Sequence, residues 1–218
     1  FLPEETISSD ETGVFFGAPP KNQYVPRSAD RATAPESDEK ARITAMFFGD
    51  GTGEMGAVFY IIGCDSTKAD LSKTRVLKNL MACEGFYESD GWSYCIWRRS
   101  LELKSKKGME TKEYVRPYLI HAETYTVITM QKKAWMDTVG VCMWYDLVVG
   151  PHFKRKTGRG LNVWDNCGPH GTAAVEKVAK EWNITQAPLP PKMTDQLQVM
   201  DLVANGPYKA GMRRERTR

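Results

Sequence analysis

Apolar and polar positions along the chain divide it into short runs, strand-like at first and increasingly helical toward the end. Thr6-Ile-Ser-Ser-Asp-Glu-Thr is partly β-branched and leads into Gly13-Val-Phe-Phe, which suits a strand ending at a functional loop. Gly17 to Glu39 is rich in Pro, Ala, Ser and charge and reads as a surface loop. Ala41-Arg-Ile-Thr-Ala-Met-Phe-Phe and Ala57-Val-Phe-Tyr-Ile-Ile are apolar runs joined by a Gly-rich segment, so they are expected to pair as an antiparallel hairpin. The joining segment contains G-x-G-x-x-G at Gly51, Gly53 and Gly56. A dinucleotide fingerprint needs a helix after those glycines, and a strand follows here, so they read as a turn.

Cys64 to Arg116 mixes charge with the aromatic patch Gly91-Trp-Ser-Tyr-Cys-Ile-Trp and reads as an insertion with structure of its own. Tyr118-Leu-Ile-His and Tyr125-Thr-Val-Ile-Thr-Met resume strand composition. Lys133 to Val149 carries an apolar set broad enough for a helix buried on more than one side, with Trp135 and Trp144 as core residues. Gly160-Leu-Asn-Val-Trp-Asp is a short strand ending on an acid. His170 to Trp182 spaces Ala174, Val175, Val178, Ala179 and Trp182 as one face of an amphipathic helix. Ile184-Thr-Gln-Ala-Pro-Leu-Pro-Pro is a strand halted by prolines. Thr194 suits the N-cap of a helix running through Asp201 to about Ala204, and Asn205-Gly-Pro breaks it. Hairpin strands followed by alternating helices and strands make a mixed α/β order. Two acids then fall at strand ends and one on a helix facing them.

Composition narrows this modestly. With 218 residues, 41% of them hydrophobic, the chain can bury a sizeable core as one domain with an insertion. A net charge of +3 permits a nucleic-acid partner without requiring one. Five cysteines with no C-x-x-C pairing point to neither a disulfide scaffold nor a zinc site. No run approaches the roughly 18 apolar residues of a membrane span, and the first residues lack the pattern of a signal peptide. The expectation is an intracellular, non-secreted protein without a membrane partner. Because the first residue is not Met, the chain reads as a piece of a longer protein.

Three acids carry the candidate chemistry. Two Mg2+ ions roughly 3.5 to 4 Å apart can stabilise the attacking and leaving oxygens of a phosphodiester together, and carboxylates are the natural ligands for such hard cations. Two carboxylates about 4 Å apart repel by roughly 4 kcal/mol at an effective dielectric of 20, so such a cluster is unfavourable without metal. Ser9-Asp10-Glu11-Thr12-Gly13, Val163-Trp164-Asp165-Asn166-Cys167-Gly168-Pro169-His170 and the segment from Leu189 to Asp201 resemble, in order, the three catalytic motifs of the DDE superfamily endonucleases. The likeness is strongest to the pogo, tigger and jerky branch, whose third acid is Asp, and Asn205-Gly-Pro-Tyr-Lys resembles its continuation.

The resemblance covers most of the chain from Asp10 onward, apart from the insertion at 64–116. It implies a ribonuclease H-like mixed sheet flanked by helices. It also implies catalytic, metal-binding roles for Asp10, Asp165 and Asp201, with two Mg2+ or Mn2+ ions as cofactors and DNA as partner. Members commonly carry helix-turn-helix modules ahead of this domain, absent here, and their paired-end chemistry implies a homo-oligomer on DNA in the nucleus. The expected activity is that of a DNA endonuclease and strand-transfer domain of a transposase. Two rivals stand beside it: a catalytically inactive, domesticated transposase serving as a DNA-binding or assembly protein, and a ribonuclease H-like nuclease acting on RNA or hybrid duplexes.

Supporting roles fall to Asn166, which either orients a ligand or phosphate or simply forms a turn, and to Gln198, whose simpler role is a local hydrogen bond. Cys167 and His170 lack the further paired ligands a zinc site needs. Lys154, Arg155, Lys156 and Arg159 are candidate phosphate contacts, weighed against an ordinary solvated loop. Trp92 and Trp97 could stack bases, but basic residues do not interleave with them, so packing within the insertion is expected.

Overall fold

A computed structural model describes residues 1–15, 42–63, 91–105, 108–190 and 193–216. The expected loop at Gly17 to Glu39 and the first part of the insertion lie outside these residues.

One eight-stranded mixed sheet organises the molecule. Its strands are β1 (Thr6–Phe15), β2 (Arg42–Asp50), β3 (Phe59–Gly63), β4 (Trp92–Ser105), β5 (Gly108–His121), β6 (Val127–Gln131), β7 (Gly160–Trp164) and β8 (Ile184–Pro188), in spatial order β4-β5-β6-β3-β2-β1-β7-β8. Within it, β3-β2-β1-β7-β8 is an antiparallel meander extended by two strands parallel to β1, the ribonuclease H-like arrangement. The hairpin of β2 and β3 forms as the sequence predicts. Gly53 takes a φ of 91° in its turn, and a Cβ on Gly56 would lie 1.8 Å from the Phe48 ring.

The described part of the 64–116 segment does not form a separate body. Residues 91–116 supply β4 and most of β5, a long hairpin that joins the sheet through β6. Trp97 is buried in the main core and donates to Asp146, so it packs against the body of the domain instead of within the insertion.

Helices cover both faces. On the first, α1 (Thr138–Trp144), a π-helical turn (Tyr145–Val149) and α2 (Gly150–Lys156) form one rod, and α3 (Ala173–Glu181) packs beside it. These bury Trp144, Tyr145, Val149, Phe153, Val175 and Val178 against Ile7, Met46 and Phe48. A buried polar chain crosses the same layer: Ser9 Oγ donates to Asn162 Oδ1 at 2.7 Å, and Asn162 Nδ2 donates to Tyr145 Oη at 3.0 Å. On the opposite face, α4 (Thr194–Leu197), α5 (Val199–Val203) and α6 (Asn205–Arg216) place Met200, Ala204 and Tyr208 against Ala45 and Phe47.

Three helical expectations change. The rod begins at Thr138, capped by Asp137 accepting from the Gly140 amide at 2.7 Å, so Trp135 precedes it and is 57% exposed instead of lying in the core. The helix expected from His170 begins at Ala173 behind the cap Thr172. The helix expected from Thr194 to Ala204 is two, because Gln198 leaves helical geometry (ψ 96°) and turns its side chain onto β1.

Candidate active site

Strand register explains why distant acids meet. Ser8 and Val163 are partners on the neighbouring parallel strands β1 and β7, and two residues beyond them stand Asp10 and Asp165. Alternation carries both acids to the same side of the sheet at one level, on strands about 5 Å apart. Asp165 lies just past the end of β7, as expected, where its Oδ1 accepts from the Cys167 amide at 3.2 Å. Asp10 is not at a strand end: β1 continues to Phe15 because β2 pairs with it along its whole remaining length.

Asp201 stands on α5, as expected, and Asn205 joins it to Asp10. The Asn205 Nδ2 donates to Asp10 Oδ2 at 2.7 Å and to Asp201 Oδ1 at 2.8 Å, so the two carboxylates are no farther apart than two hydrogen bonds spanning one nitrogen. Gln198 secures this helix to β1. Its Oε1 accepts from Ser8 Oγ at 3.1 Å and its Nε2 donates to the Ser9 carbonyl at 3.0 Å, on either side of the buried polypeptide that leads to Asp10.

Asp165 is held from the other side. His170 is buried, and its ring stacks on Trp164 with centroids 4.1 Å apart and planes 3° from parallel. Its Nδ1 meets Asp165 Oδ1 at 2.9 Å and its Nε2 meets Glu11 Oε1 at 3.1 Å. Burial alone pushes this imidazole down, but hydrogen bonds to Asp165 and Glu11 outweigh it and raise the group to about 9. The His170 bond in turn holds Asp165 below the usual carboxylate range, against its partial burial.

Asp10 goes the other way. Burial first, then the negative charge of Asp201, Glu11 and Asp165, pushes it up to about 7, with the Asn205 amide acting in opposition. Asp10 is buried, Asp165 half-buried and Asp201 exposed, and such an open-sided group of carboxylates with surplus negative charge suits a hard divalent cation. Among the described residues no group of three or more His, Cys, Asp or Glu side chains is gathered tightly enough to hold one ion. Asp165 is engaged by His170, while Asn205 spans the other two acids.

The remaining candidates are scattered. Asn166 is exposed beside Asp165. Cys167 is a free thiol whose carbonyl accepts from the His170 amide. Lys154, Arg155, Lys156 and Arg159 are exposed near the start of β7, at the opposite end of the strands from the acids. Lys156 pairs with Asp50 and Glu54, Arg159 pairs with Glu5, and Arg155 lies over the Tyr125 ring. Sequence reasoning missed Glu11 and Asn205 and weighed His170 only as a zinc ligand or helix start. The helical offset between Asp201 and Asn205 was a usable signal; nothing local marks Glu11 as the partner of a histidine near the second motif.

The mixed sheet with acids at the junction of β1 and β7 defines a ribonuclease H-like protein with an acidic centre. Residues 103–217 match the DDE superfamily endonuclease family, and the chain belongs to it. That match takes in Asp165 and Asp201 and leaves Asp10 outside. No curated protein matches the chain. Among solved structures it is similar to a Mos1 transposase paired-end complex with left transposon end, at 11% identity and a TM-score of 0.47, covering 97% of this chain and 43% of that one. It is also similar to the Mos1 mariner paired end complex with Mn, at 12% identity and a TM-score of 0.44, covering 95% and 42%. The chain thus spans less than half the length of these solved chains. Among the described residues no helix is long and apolar enough to cross a membrane.

Proposed function

We propose that this chain is a metal-dependent DNA endonuclease and strand-transfer domain of a transposase or transposon-derived protein, of the pogo, tigger and jerky branch. The observation that carries the reading is the meeting of Asp10 and Asp201 on the one Asn205 amide, with Asp165 at the same level on the neighbouring strand; burial and the charges of Asp201, Glu11 and Asp165 push the Asp10 carboxyl up. Structural carboxylates are ordinarily compensated by donors, and perturbed ones cluster at functional sites. Asp10, Asp165 and Asp201 would hold two Mg2+ or Mn2+ ions. Such ions, when bound, supply the positive charge that stabilises the attacking and leaving oxygens of a phosphodiester.

The chain's own residues organise that centre. Asn205 keeps Asp10 and Asp201 side by side. His170 orients Asp165 and is itself fixed by Glu11 and Trp164. Gln198 keeps the helix bearing Asp201 against β1. Asn166, exposed one residue beyond Asp165, is available to a substrate phosphate. Lys154, Arg155, Lys156 and Arg159 contact phosphates farther along the DNA, adding affinity and salt dependence without sequence reading. Cleavage releases a 3′ hydroxyl for attack on a second DNA, which calls for two copies of the chain on paired ends in the nucleus.

The test is nicking of supercoiled DNA by the purified chain with Mg2+, alongside calorimetric titration of Mg2+. Nicking that chelator abolishes supports the reading. A folded chain that neither nicks nor binds metal overturns it. DNA binding or oligomerisation indifferent to chelator and to loss of the acids would instead identify a domesticated, inactive relative, and cleavage restricted to RNA or hybrid duplexes would identify a different ribonuclease H-like nuclease.

A further inference from the structure

Trp135 is out of place for a tryptophan. It is 57% exposed, yet its surroundings are rigidly built. The Trp135 amide donates to Gln131 Oε1 at 3.2 Å, as does the Lys133 amide at 2.7 Å, so one side chain ties down the turn after β6. The preceding Ala134 is buried, with a φ of 52°, and its carbonyl accepts from Thr44 Oγ1 and from two nitrogens of Arg42. Those bonds lay the Arg42 guanidinium over the indole, 3.8 Å from the ring centroid. A large aromatic surface is therefore held in one orientation with a cation against it.

Its position is equally specific. β6 runs parallel to β3, and β3 runs in the direction of β1, so the turn carrying Trp135 emerges at the end of the sheet toward which β1 runs from Asp10, past the level at which β7 stops. Arg42 pairs with Phe15 on β1, four residues past Glu11, or roughly 13 Å of strand, and by alternation shares the sheet face of Glu11 and Met46, opposite that of Asp10 and Phe47. The Glu11 charge is felt by Arg42, and Glu11 is the carboxylate joined through His170 to Asp165. Lys132 and Lys133, both exposed, precede Trp135 directly. Exposed cations interleaved with an exposed aromatic ring are how proteins hold unpaired nucleic acid: the cations follow the phosphates and each base stacks on a π face. Trp92 and Trp97 lack this pattern, and Trp97 is buried.

We infer that Trp135, backed by Arg42 and flanked by Lys132 and Lys133, is a stacking platform for an unpaired DNA base at the end of the sheet toward which β1 runs from Asp10, on the face that carries Glu11. The inference rests on the DNA reading above and deepens it: the substrate here is single-stranded or locally opened, not a fully paired duplex.

The experiment is a binding comparison in chelator, so that no cutting intervenes, between a blunt duplex and the same duplex carrying a 3′ thymidine tail with one 2-aminopurine. Wild-type protein should prefer the tailed duplex and quench the 2-aminopurine by stacking. Trp135→Ala should weaken tailed binding about tenfold, the equivalent of ~1.4 kcal/mol, abolish the quenching and leave blunt binding unchanged. Trp135→Phe, which keeps a π face, should retain most of both signals. Equal binding of wild type and Trp135→Ala to the tailed duplex overturns the inference, as does equal weakening on both duplexes with quenching intact. If Trp135→Ala fails to fold, Trp135→Leu against Trp135→Phe makes the same comparison, and indistinguishable binding by those two overturns it. A chain that cuts DNA with Mg2+ but shows no Trp135-dependent preference removes the platform and leaves the nuclease. A chain that stacks the tail through Trp135 but never cuts removes the nuclease and leaves the platform.

Discussion

Two carboxylates, the half-buried Asp146 and the buried Asp10, are treated by this fold in opposite ways. Asp146, on the π-helical turn, accepts from Trp97 Nε1 at 2.9 Å, from Trp182 Nε1 at 2.9 Å and from Arg99 Nη1 at 2.7 Å. Those donors come from β4 and from the end of α3, so one carboxylate fastens the β4–β5 hairpin and α3 to the central rod. Among the described residues Asp10 accepts from the Asn205 side-chain amide, and the charges that act on it are the carboxylates of Asp201, Glu11 and Asp165. Compensated charge holds structure together, whereas uncompensated charge is a cost the fold carries without structural return. That difference separates Asp146, which fastens the structure, from Asp10, the acid proposed to serve the chemistry.

The widest consequence is in activity. Asp10→Ala, Asp165→Ala and Asp201→Ala should each lower Mg2+-dependent nicking by about a thousandfold, the upper range for removing one element of a preorganised electrostatic site, while Asp146→Asn leaves turnover per folded molecule near wild type. Nicking assays normalised to folded protein decide this, and substantial activity in Asp10→Ala would break the assignment.

Stability should show the reverse. Asp146→Asn removes the charged acceptor shared by Trp97, Trp182 and Arg99, leaves Arg99 with Glu181 alone and should cost about 1–3 kcal/mol in urea unfolding. In chelator, Asp10→Asn should instead stabilise the fold, on the order of 1–3 kcal/mol at pH 8, by removing a charge the folded state disfavours. Equal destabilisation by both substitutions would erase the contrast.

The contrast also has a pH signature. Asp10 is raised from 3.8 to about 7, so the folded chain binds more protons than the unfolded chain across that window and loses stability as pH rises through it. His170 is raised from 6.5 to about 9; its contribution is complete below 6.5 and is lost as pH rises through 9. Asp165, held low by His170, acts oppositely at the acid end, losing its contribution as pH falls. Metal-free unfolding midpoints should therefore decline from mildly acidic to alkaline pH, and Asp10→Asn should flatten the part below 7. An unchanged profile in that variant would show that Asp10 is not the perturbed group.

The smallest effect concerns the far end of the strands. Lys154→Ala and Arg155→Ala should weaken DNA binding modestly and alike on all sequences, each reducing the salt slope by about 1. A variant that altered sequence preference instead would move those residues from phosphate contact to base reading.

The antiparallel hairpin, β7, β8 and α3 were legible along the chain because their apolar spacing matches the surface each must bury, and short-range alternation is a local property. The three motif acids were legible too, as ordered strings. Errors arose where a distant contact overrode a local preference: Gln198 interrupts a plausible helix in order to bond Ser8 and Ser9, and Gln131 and Arg42 hold Trp135 ahead of the helix that would have buried it.

The sequence by itself determined the mixed α/β order, the register-forming strands and the presence of three separated acids. Only the tertiary structure decided what surrounds them. His170 reaches Glu11 across 159 residues and Asn205 reaches Asp10 across 195, both through the pairing of β1 with β7 and the packing of α5 and α6 on the sheet. The physical reason is that a carboxylate's charge state is set by the solvent it loses and the charges it meets, and chain neighbours specify neither.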